Sequence, residues 1–124
     1  MGFSPNLKKR IMDSIALFVK DFQKGTELSE KLSSIDLNVN FAESIYDLTN
    51  KCKIGIIDLD DEKFNNIDFI SDLKNKAKLI LIGYKNKIDK TSHDSMKTSG
   101  CEILIPTASI VINIQSLVKT LLSN

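Results

Sequence analysis

Carboxylates placed just after apolar runs are the residues of this sequence best suited to chemistry. Asp58-Leu59-Asp60-Asp61 directly follows Ile54-Gly55-Ile56-Ile57, and Lys20-Asp21 follows Ile15-Ala16-Leu17-Phe18-Val19. An apolar strand carries such an acid to its rim. There a carboxylate is a fair nucleophile once neighbouring charge offsets the transferring group. Grouped carboxylates can also hold a hard divalent cation through oxygen. Asp58 is therefore the clearest candidate for chemistry, and Asp21, Asp58 and Asp60 are weak candidate ligands for a divalent cation such as Mg²⁺. Asp58 reads equally as a strand-end acid that caps a turn or pairs with Lys20. Asp60-Asp61-Glu62 reads equally as a solvated acidic loop ahead of a helix, where negative charge is favourable.

Other reactive types are sparse. His93 is the single histidine, in the polar stretch Lys90-Thr91-Ser92-His93-Asp94, and is expected on the surface rather than as a catalytic base. Lys8-Lys9-Arg10 gives three charges on one terminal stretch, enough only for weak, salt-sensitive phosphate contact. No Gly-rich phosphate loop follows any apolar run, which disfavours a nucleotide binder. No catalytic residue of an enzyme is assigned.

The elements that must position these residues follow from periodicity. Ile54–Ile57, Leu79-Ile80-Leu81-Ile82 and Ile103-Leu104-Ile105 are short, β-branched runs ending in Asp58, Gly83 and Pro106. Such runs suit strands buried on both faces of a parallel sheet. Ile15–Val19 supplies the first strand, in preference to Arg10-Ile11-Met12, and Leu37–Phe41 alternates as an edge strand does. Helices are expected from Thr26 as cap, over Glu43–Asn50, over 65–76 with Ile67, Phe69, Ile70 and Leu73 inward, and over 90–99. A last helix carries Ile110, Ile114, Leu117 and Leu121 at helical spacing. Strand–helix alternation implies a three-layer α/β/α sandwich of (βα)5 type, with right-handed parallel crossovers. Ser4-Pro5 starts an extra N-terminal helix, so residues 1–13 read as a helical extension of a single domain spanning 1–124.

Composition narrows the class. The 124 residues carry 17 Lys plus Arg against 16 Asp plus Glu, a net charge of +1, which argues against nucleic acid as partner. Two cysteines and one histidine exclude a zinc finger or a disulfide framework. No apolar stretch is long enough to span a membrane and no signal peptide opens the chain. A soluble, cytoplasmic protein with reduced thiols is expected.

In these residues the sequence resembles the receiver domains of two-component response regulators, over about 14–123. The resemblance rests on Ile56-Ile57-Asp58-Leu59, on Leu79-Ile80-Leu81-Ile82-Gly83 and on Gly100-Cys101-Glu102-Ile103-Leu104. Asp58-Leu59-Asp60-Asp61, Ile82-Gly83-Tyr84 and Ile105-Pro106-Thr107-Ala108-Ser109 fit a divergent, pseudo-receiver group better than an active receiver. The resemblance implies a flavodoxin-like sheet of order 2-1-3-4-5. In that order the fourth strand separates Cys52 from Cys101, about 9–10 Å between Cα atoms from the strand spacing, too far for a disulfide. Ile105-Pro106 falls near a peptide that is often cis in receivers.

An active receiver uses acids from the first and third strands to hold Mg²⁺, a hydroxyl after the fourth strand and a lysine after the fifth. Against that pattern Lys20 stands where one acid belongs, Gly83 replaces the hydroxyl, and no lysine occurs at Ile105-Pro106-Thr107. Lys20, Gly83, Pro106 and Thr107 are thus degenerate switch positions. Losing one charge partner from such a site typically costs a few kcal/mol, about two or three decades in rate. Without groups that contact the two states differently, no population shifts. The resemblance with these departures implies a non-catalytic pseudo-receiver, a protein-interaction module in cytoplasmic signalling with no required cofactor. The alternative is a phospho-accepting receiver using Asp58 with Mg²⁺. In receivers the fourth helix, fifth strand and fifth helix form the usual docking and dimer face. Ile112, Val118 and Leu122 are therefore the candidate contacts for a signalling partner or a homodimer, unless the last helix is simply a wide core stripe. No output domain follows the last helix, so output is expected to pass through a partner.

Overall fold

The computed structural model describes residues 14–49 and 51–123. Expectations for residues 1–13, namely the helical extension, the Lys8-Lys9-Arg10 stretch and the alternative strand Arg10–Met12, lie outside the described residues. Five strands form one parallel sheet in the order β2-β1-β3-β4-β5. They are β1 (Ser14–Phe18), β2 (Asn38–Phe41), β3 (Cys52–Asp58), β4 (Ile80–Lys85) and β5 (Cys101–Pro106). Among the described residues four α-helices cover the sheet, α1 (Phe22–Ser33), α2 (Ile67–Asn75), α3 (Lys90–Ser99) and α4 (Thr107–Leu122). This is the expected three-layer α/β sandwich with one crossover altered.

The two faces are filled by opposite strand parities, as a pleated strand requires. Ile54, Ile56, Ile82 and Tyr84 face α1 and α4, meeting Leu28, Leu32, Ile110, Ile114 and Val118. Phe18, Ile57, Leu59 and Leu81 face α2 and α3, meeting Phe64, Ile70, Leu73 and Met96. Phe18, Phe64 and Phe69 form an aromatic cluster there, with edge-on pairs centred 6.0 and 5.4 Å apart. β1, β3 and β4 are buried almost throughout, which is why their sequences are continuous apolar runs.

Several expected details change. Thr26 does not cap α1: Asp21 does, its Oδ1 accepting from Lys24 N at 2.8 Å, so the helix begins a turn earlier and Thr26 lies within it. Of the helix expected over Glu43–Asn50, the described residues 43–49 form only a 3₁₀ turn at Ile45–Asp47. Asp47 Oδ2 accepts from Glu43 N and Ser44 N at 2.9 and 3.1 Å, closing the segment on itself before a helix can extend. Ile67, at the first position of α2, faces solvent rather than the core. All peptide bonds of the described residues are trans, Ile105–Pro106 included. Cys52 and Cys101 open β3 and β5, on either side of β4, and are buried free thiols. His93 lies exposed on α3 beside Asp94, 3.6 Å from its Oδ1.

Among the candidate interface residues, Ile112 is exposed but Val118 is fully buried. Val118 continues the Ile110–Ile114 stripe at four-residue spacing, which turns it into the sheet. It is a core residue and not an interface contact. Leu122 is half-buried against the same layer.

Candidate functional site

β3 delivers Asp58 to its carboxyl-terminal end, where ligands of open parallel sheets bind. Its side chain is 8% exposed. Oδ1 accepts from Asp60 N at 2.9 Å, a local turn that a short acid favours. Burial raises the carboxyl above its usual range, and the charges of Asp60, Asp61 and Asp21 raise it further; only the Asp60 backbone bond acts the other way. Among the described residues no cation pairs with it. Lys20 is exposed past the end of β1 and does not form the ion pair with Asp58 that the sequence allowed.

Register decides which residue stands beside Asp58. β3 and β4 pair Asp58 with Tyr84 and Ile57 with Gly83. Gly83 therefore points to the α2–α3 side. A Cβ there would stand 2.7 Å from Leu59 Cδ1 and 3.3 Å from both Cys101 Sγ and Leu104 Cδ1. The rim hydroxyl level with Asp58 is the phenol of Tyr84. It is buried, and among the described residues its oxygen has no partner with hydrogen-bond geometry. Burial, and then the negative charge of Asp58, push this phenol well above its ordinary range. The sequence analysis missed Tyr84 as a site residue. The missing information is register, because a one-residue slip exchanges the faces.

Asp60 is drawn away from Asp58. Its Oδ1 accepts from Asn86 N at 2.9 Å, and its Oδ2 accepts from Thr107 Oγ1 at 2.8 Å. Asn86 follows β4 and Thr107 opens α4. Pro106 ends β5 and precedes α4 without capping it by a side chain. Asp21 is held as the α1 cap.

The Mg²⁺ that a receiver fold implies does not fit these residues. Among the described residues no three Asp, Glu, His or Cys side chains gather where an ion could bridge them. Asp21, Asp60 and Asp61 are near enough for their charges to act on Asp58, and both oxygens of Asp60 already accept hydrogen bonds from the protein. The rim thus presents a buried acid among like charges, with no lysine paired to it among the described residues. Among the described residues no helix is long and apolar enough to cross a membrane.

Comparison with known proteins places the fold. No family model matches the sequence, and no curated protein matches it. Solved structures do. A two-component response regulator from Clostridium difficile superposes with a TM-score of 0.80 at 12% identity, covering 91% of this chain and 98% of its own. A response regulator from Thermotoga maritima gives 0.77 at 11% identity, covering 91% of this chain and 99% of its own. An orphan response regulator of H. pylori gives 0.67 at 16% identity, covering 84% and 94%. The fold is that of response regulator receiver domains.

Proposed function

We propose that this chain is a pseudo-receiver, a receiver-shaped module that binds a protein partner in cytoplasmic signal transduction without a phosphorylation cycle. The observation that carries this reading is the state of Asp58. It is partly desolvated among Asp21, Asp60 and Asp61, unpaired by any cation among the described residues, and beside a phenol in place of a small hydroxyl. The Thr107 hydroxyl, near the rim, is spent on Asp60. A carboxylate in this setting has nothing to neutralise an incoming phosphoryl group, whose transfer depends almost entirely on such neutralisation.

What remains useful is shape. α3, β5 and α4 present a face with Ile112 exposed on α4. A signalling protein, or a second copy of the chain, is the occupant this reading assigns to that face.

The test is incubation with acetyl phosphate, and separately with beryllofluoride, in the presence of Mg²⁺. Intact mass and amide NMR spectra are then recorded. Unchanged mass and spectra are expected. Stoichiometric modification at Asp58 would replace this reading with a phospho-accepting receiver that uses Asp58 and Mg²⁺.

A further inference from the structure

Asp60 joins three strand ends that are distant in sequence. Its carboxylate takes the Asn86 amide after β4 at 2.9 Å and the Thr107 hydroxyl after β5 at 2.8 Å. Its own amide is given to Asp58 Oδ1 at the end of β3, at 2.9 Å. A second observation shows why the contact matters to α4. That helix, 16 residues long, has Pro106 at its cap with no side-chain hydrogen bond, and no acid in its first turn. The other three helices each carry an Asp or Asn cap of their own, namely Asp21, Asn66 and Asp89. Asp60 brings negative charge to the first turn of α4 and anchors it through the Thr107 hydroxyl, from 47 residues away.

We infer that Asp60 is an internal latch. It holds the first turn of α4 and the loop after β4 in one arrangement, and so fixes the α3–β5–α4 face without any phosphoryl group. The latch deepens the pseudo-receiver reading, on which its role in partner docking rests; its geometry is independent of that reading.

Amide exchange followed by NMR tests it, on the wild type and on Asp60→Ala, Thr107→Val and the double variant. Removing the acceptor should speed exchange of the Asn86 amide roughly tenfold, the loss of one charge-assisted hydrogen bond. Thr107→Val, which keeps side-chain shape, should speed exchange in the first turn of α4, and Thr107→Ser should restore it. In the Asp60→Ala background Thr107→Val should add nothing, because the partner is already gone. Unchanged Asn86 exchange in Asp60→Ala, or strictly additive effects of the two substitutions, would overturn the latch. Thermal melting of each variant separates local release from global unfolding. Beryllofluoride uptake by the wild type would count against the pseudo-receiver reading alone, so the two failures are distinguishable.

Discussion

Tyr84 and Asp58 are register partners on two neighbouring strands, yet the Tyr84 hydroxyl, on a residue 1% exposed, has no hydrogen-bond partner among the described residues. Burial, and then the charge of the carboxylate next to it, hold the phenol well above its ordinary range. A buried hydroxyl without a partner has lost its water and gained nothing in return.

Tyr84→Phe should therefore stabilise the fold by about 1 kcal/mol, because it removes the orphan oxygen and keeps the ring. Urea unfolding at neutral pH measures this. Destabilisation of similar size would mean that the hydroxyl is satisfied in solution.

Asp58 carries the pH dependence of the rim. Its carboxyl is raised in the folded state, mainly by burial and then by Asp60, Asp61 and Asp21. The folded chain consequently holds this proton to higher pH than the unfolded chain does. The contribution to stability is full below the unfolded value and is lost as pH rises through the folded one. Asp58→Asn keeps an acceptor for the Asp60 amide and removes the charge. Solvent screening at the rim keeps the gain small, a rise of roughly 1–3 °C in Tm at neutral pH. The advantage should fade as pH drops below the usual carboxylate range; a constant difference across pH would exclude charge as its cause.

Gly83→Ser, the substitution that writes a receiver-like hydroxyl into the sequence, should fail to confer phosphodonor reactivity. The new side chain would enter the α2–α3 face between Leu59, Cys101 and Leu104, away from Asp58. Overpacking of this kind costs about 1–3 kcal/mol. Denaturant melts and intact mass after acetyl phosphate treatment check both halves of the expectation.

Ile112 and Val118 should part company on mutation although both lie on α4. Val118→Ala empties a fully buried position and should cost about 2 kcal/mol. Ile112→Lys changes a side chain 79% exposed and should leave stability within about 0.5 kcal/mol of the wild type. If the α3–β5–α4 face binds a partner, Ile112→Lys weakens that binding in a pull-down from native extract. Retained binding would move the interface elsewhere.

Much of the architecture was legible in the sequence because burial on both faces leaves an unmistakable mark. Ile54–Ile57 and Leu79–Ile82 are apolar at every position or nearly so, and the structure makes them the central strands β3 and β4. Polar composition alone also marked 90–99 as a thinly buried helix, and Met96 is its one buried residue. The segment at Glu43–Asn50 was misjudged because its apolar residues satisfy a helical spacing while Asp47 folds the backbone back on itself. Local pattern cannot rank those two outcomes.

The sequence by itself determined that Asp58 would end a buried strand with acids around it and no lysine after the fifth strand. Only the tertiary structure decided that Tyr84 and not Gly83 stands beside it, and that Asp60 turns to Asn86 and Thr107. The reason is physical. Strand burial is written in consecutive residues through their hydrophobicity. Register and cross-loop hydrogen bonds depend on how separate segments are brought together, and a change of one residue in pairing reverses which face each side chain meets.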